Sequence, residues 1–133
     1  MKKILLVLLV FIMSVTACMA MGEKACEKEE YVENAKNTAL YDQLRGFWQK
    51  ELEMSEEGYK KFSAKKDRTS DEELIVGDYA DSISSMKELL PMNIEEYYEK
   101  VYARGKCAYG RDKIVTNADF TKHLEDQLAL YKR

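Results

Sequence analysis

Histidine is nearly missing from this chain: one residue, His123, in 133. A multi-histidine metal site is therefore excluded, and so is a di-iron centre, which needs paired E-x-x-H motifs. Proline is as scarce, with Pro91 alone, and glycine numbers six. Collagen-like, Pro-rich and Gly-rich low-complexity chains are thereby ruled out. The chain has no C-x-x-C, no C-x-x-C-H and no G-x-S-x-G. It thus lacks the thioredoxin-like redox motif, the c-type haem attachment motif and the hydrolase nucleophile elbow. Excess positive charge is absent too: 21 Lys and Arg face 24 Asp and Glu, for a net charge of −3. That balance argues against a nucleic-acid partner. The hydrophobic share, 46%, is too high for a disordered polymer, and the length suits one domain.

The first residues are organised as an address. Lys2 and Lys3 precede an apolar run from Ile4 to Val15. The run is about half of the roughly 20 residues that a spanning helix needs, so it reads as a cleaved export signal over residues 1–17. Val15-Thr16-Ala17-Cys18 follows: an aliphatic residue, two small residues and a cysteine. This stretch resembles the lipobox of bacterial lipoproteins, with Val15 where Leu is commoner. The resemblance covers the signal and Cys18 alone. It implies that Cys18 is acylated and becomes the first residue of the mature chain. In enterobacterial members of that family, a residue other than Asp after the cysteine, here Met19, implies outer-membrane sorting. The competing reading is ordinary cleavage after Ala20, giving a soluble periplasmic or secreted protein. Either cleavage removes two lysines and makes the chain more acidic.

Both cleavages leave Cys26 and Cys107. An even number of cysteines in an exported chain predicts one disulfide. It would close a loop of about 80 residues, worth roughly 4–5 kcal/mol in the chain-entropy model.

Beyond a short anchor or linker at 18–26, residues 27–133 carry helical periodicity almost throughout. Helix A is predicted from Glu27 to Glu53, with a stripe through Val32, Ala39, Leu44, Trp48 and Leu52. Gly46 lies inside it, where a bend or a close contact is expected. Ser55 reads as the N-cap of a short helix B, Glu56–Lys66. Ser70-Asp71-Glu72-Glu73 reads as a capping box for helix C, which runs to Leu90 and is stopped by Pro91. Asn93 caps helix D, with Gly105 as a left-handed stop. Ile114-Val115 forms a brief extended piece. Helix E, capped by Thr116 or Asn117, spans Ala118–Tyr131. The predicted fold is all-α: a small antiparallel bundle of four to five helices with one disulfide.

Few residues offer chemistry. His123, at the edge of helix E's stripe, is a weak candidate metal or haem ligand, with Met54, Met86 and Met92 as possible partners. A boundary histidine is the ordinary alternative. The acids fall on polar faces, as in a solvated surface. Lys60, Lys61, Lys65, Lys66 and Arg68 surround helix B, beside enough acids to form a mixed surface. Tyrosine is abundant, at nine residues. Tyr98 and Tyr102 share one face of helix D while Tyr97 lies on its neighbour, and Tyr109 follows. A helix in a small bundle does not bury both faces, so these four tyrosines become interface candidates. The sequence thus predicts a non-catalytic, cofactor-free envelope lipoprotein that binds another envelope protein. It would serve as an inhibitor or immunity-type protein, or as an accessory assembly factor. The alternatives are a periplasmic haem- or metal-binding bundle using His123 and a cell-wall-active enzyme.

Overall fold

The computed structural model describes residues 26–109 and 114–133; the signal segment and Cys18 lie outside them. The described chain is mostly helical. Its elements are β1 (Glu27–Lys28), α1 (Ala35–Ser63), α2 (Ser70–Leu89), α3, β2 (Ile114–Val115) and α4 (Asn117–Tyr131). α3 starts as α-helix at Ile94–Tyr97, widens into a π-helical segment at Tyr98–Ala103 and returns to α-helix at Arg104–Tyr109.

The predicted helices A and B are one 29-residue helix, about 43 Å long at 1.5 Å per residue. Ser55 is no N-cap. It is buried in mid-helix and donates its hydroxyl hydrogen to Ser82 Oγ at 3.1 Å. The helix begins at Ala35 because Asn34 is extended and its side chain accepts the Asn37 N–H. At α2 the capping box sits one residue earlier than expected: Thr69 and Glu72 exchange the reciprocal bonds. Asn93 and Thr116 cap α3 and α4 as the sequence predicts. Gly105 is not a stop; it lies within α3, and no described glycine has a positive φ. Gly46 meets nothing within 4 Å, so no close helix contact explains it.

α1 and α2 form a hairpin. Pairs along it run in opposite senses, from Arg45 with the Leu90 carbonyl, through Glu51 with Ser82, to Lys65 with Glu72. α4 breaks the expected antiparallel order. It meets α1 in the same direction, through Asn37 with Thr121, Lys36 with Glu125, and Phe47 and Glu51 with Tyr131. The cause is at the base. β1 and β2 pair in parallel, Glu27 with Ile114 and Lys28 with Val115, and so launch α1 and α4 the same way.

The stretch between β1 and α1 is an extended strap rather than helix. Asn117, in the first turn of α4, holds it down. Its Oδ1 accepts the Val32 N–H, its amide donates to the Glu30 carbonyl, and its backbone N–H donates to the Glu29 carboxylate. That carboxylate sits on a helix N-terminus, where negative charge is favoured. The Cys26–Cys107 disulfide, with Cα atoms 5.4 Å apart, ties the strap to the end of α3.

Candidate functional site

The three described tyrosines of the predicted interface are core residues. Tyr97 and Tyr102 are 4% exposed and Tyr98 is fully buried; the Tyr109 side chain lies outside the described residues. Both faces of α3 are buried, contrary to expectation. Tyr97 packs on Tyr41 and Trp48 of α1. Tyr98 and Tyr102 pack on Phe120 of α4. The strap closes the remaining side: the Tyr31 ring lies on Tyr98, and the Tyr98 hydroxyl donates to the Glu29 carbonyl at 2.7 Å. The π segment, with its extra residue per turn, belongs to the same packing. Burial pushes the Tyr41 and Tyr102 hydroxyls up to about 12, and Tyr97 further in the same direction.

His123 belongs to this cluster. Its ring packs on Tyr97, Tyr102 and Phe120, and its Nε2 lies 3.0 Å from the Tyr97 hydroxyl. In the tautomer with the proton on Nδ1, the hydroxyl donates to Nε2. Nε2 is thus engaged with Tyr97 inside the cluster. Among the described residues no three His, Cys, Asp or Glu side chains gather as a metal site. Burial first, then the Lys106 charge, pushes the imidazole below its usual range, while Asp126 opposes them. The depressed folded-state value sets the sign of a pH effect. As pH falls through about 6.5 the unfolded chain takes up a proton that the folded chain refuses, so stability drops until the folded-state value is passed. Chemical denaturation between pH 7.5 and 5.5 is expected to show this slope in the native chain. His123→Gln, which removes the only histidine, is expected to flatten it.

Among the described residues Val32 of the strap, Ile114 of β2 and Leu130 of α4 are exposed singly, and the other exposed large apolar side chains lie toward the far end of the α1/α2 hairpin. α4 follows α1 only as far as Glu51, whose carboxylate accepts from Tyr131 at 2.8 Å and from Ser82 at 3.2 Å. Past this junction α1 and α2 continue as a two-helix arm, about 18 Å long at 1.5 Å per residue. The arm has a thin interior of its own: Phe62 stacks with Tyr79, and the Tyr79 ring lies over Gly58. Outside it, Met54 and Leu74 are 71% and 69% exposed, and Tyr59 and Ile75 are also exposed. Sequence periodicity placed Ile75 and Tyr59 on buried stripes, because it assumed neighbours for the whole length of each helix.

Gly58 shows how closely the arm's helices approach. A Cβ there would fall 2.4 Å from the Tyr79 ring, which must then swing off Phe62. Gly58→Ala is expected to lose stability in the native chain and to gain about 1 kcal/mol in a Tyr79→Ala background, where only helix propensity acts. Gly46→Ala is expected to gain about the same in the native chain. Equal gains at both sites, read by urea denaturation, would contradict the packing of Tyr79 on Gly58.

No family model matches the chain, and neither a curated protein nor a solved structure matches it. Among the described residues no helix is long and apolar enough to cross a membrane.

Proposed function

We propose that the mature chain is a lipid-anchored envelope protein that acts by binding another envelope protein through the α1/α2 arm. The observation that carries the reading is the exposure of Met54 and Leu74 on a two-helix arm that no other described element covers. Large apolar side chains grouped on one projection are what protein interfaces use. The Cys18 motif supplies the anchor in this reading, and the disulfide agrees with an oxidising compartment. The anchor would raise the local concentration of the arm around its partner, which suits a blocking or assembly role more than turnover.

The test is crosslinking in the native envelope followed by capture and mass spectrometry. A single stoichiometric partner is expected, lost in Met54→Glu/Leu74→Glu. Circular dichroism is expected to show that variant still folded, because neither side chain is buried. A folded variant that keeps its partner, or a membrane-bound native chain with none, would refute the assignment of the interface to the arm.

A further inference from the structure

The other end of the molecule carries a second surface, and its chemistry differs. A groove of about 650 Å³ runs between the C-terminal half of α2 and the second half of α3. Leu89, Met92 and Val101 give it an apolar lining, and Lys100 and Arg104 add two cations. Neither cation makes an ion pair among the described residues, although six other basic side chains do. Glu88 contributes one carboxylate from the α2 wall, so the groove remains net positive. Gly105 opens it further, since nothing lies within 4 Å of where its Cβ would be.

The position of this groove is as informative as its lining. Arg104 stands three residues before Cys107, and Cys107 is bonded to Cys26. Cys26 in turn stands eight positions after Cys18. Fully extended, that tether spans at most about 28 Å. An acylated Cys18 therefore keeps the base of the domain within reach of the bilayer surface, whereas the arm extends away from the strap.

We propose that the groove takes an anionic phospholipid of the same bilayer, its phosphate between Lys100 and Arg104 and an upper acyl segment on Leu89, Met92 and Val101. Basic side chains near an anionic bilayer are drawn to it within a screening length of its surface. A diacylglyceryl anchor, with two acyl chains, already holds a protein stably on a bilayer, so what the groove adds is the direction in which the domain faces. The base lies against the headgroups and the arm points outward.

This inference rests on the lipoprotein reading, and one experiment separates the two. The full-length chain is expressed with its own signal, the mature N-terminus is read by mass spectrometry, and the protein is reconstituted into vesicles. One set is phosphatidylcholine alone, and the other contains phosphatidylglycerol at about one lipid in three, enough for a surface potential. Hydrogen exchange is then compared by segment. Residues 98–108 are expected to exchange several-fold more slowly on the anionic vesicles, and the arm, residues 54–80, equally on both. The difference should vanish in about 1 M salt, where the screening length is near 3 Å. It should also vanish in Lys100→Gln/Arg104→Gln, whose changes touch only exposed side chains. A lipidated protein with the same exchange on both vesicles, or with the arm protected as well, would overturn the groove assignment alone. A mature chain without an acyl group on Cys18 would overturn the lipoprotein reading and remove the tether on which the groove assignment depends.

Discussion

Replacing Cys26 and Cys107 together by Ala lowers the unfolding free energy by roughly 4–5 kcal/mol, the chain-entropy value for a closed loop of about 80 residues. The paired cysteines stand 81 positions apart, so β1, α1, α2 and nearly all of α3 lie inside the loop, with β2 and α4 outside it. Domains of this size have about 5–15 kcal/mol in total. Losing the bridge therefore brings the chain near the threshold of folding at growth temperature. Cys107 is exposed and Cys26 partly buried, so a reductant reaches the bond without prior unfolding. Urea denaturation with and without reductant should show the midpoint falling in the native chain and staying fixed in the double variant. A reduced native chain as stable as the oxidised one would mean that the strap is held by its hydrogen bonds and packing alone.

The second large effect belongs to Tyr98. Truncation to Ala removes a fully buried ring that touches Tyr31, Tyr102 and Phe120, and leaves a cavity where three segments meet. The expected cost is about 3–5 kcal/mol, the range for large aromatic-to-Ala changes in a core. Tyr98→Phe keeps the ring and gives up only the bond to the Glu29 carbonyl, for about 1 kcal/mol. The ratio between the two variants is the informative quantity. An interface tyrosine would show little loss of stability in either and a loss of binding in both. Thermal melts of the two variants beside the native chain distinguish the cases. Leu74→Glu is the opposite control, since it alters the arm's surface with little effect on the melt.

Local signals were legible in the sequence where they act locally. Asn93, Thr116 and Pro91 mark helix ends as their side chains and ring dictate, and the cysteine count alone suggested the bridge that the structure contains. What failed were inferences about neighbours. Residues 26–34 carry Val32 at a helical spacing, yet β1 pairs with a strand that follows about 85 residues later, which no local pattern encodes. A helix over the strap would leave no element to cover Tyr98, and the tyrosines of α3 would then lie at the surface, whereas the extended strap shelters them. Ser55 misled for a similar reason. A serine before two glutamates resembles a cap, but here its hydroxyl faces Ser82 and the helix runs on. The arm was hidden because periodicity reports which face is apolar and not whether anything covers it. Gly58 alone carried a usable signal, a glycine one turn before Phe62 in a helix, and its meaning depended on Tyr79.

The strap also sets an order of events. Its partners are Glu99, Val115 and Asn117, all in the last third of the chain. The α1/α2 hairpin, by contrast, is made from contacts between neighbours in sequence and can close as soon as Leu90 has emerged. A chain made from its N-terminus thus completes its arm while the strap is still open. Long loops close slowly relative to local helical pairs. For that interval the tyrosines of α3 are unsheltered, and the chain already displays Met54 and Leu74 before its base has locked. The arm is thus complete in an unfinished domain, and the disulfide is the clasp that holds the strap at the base.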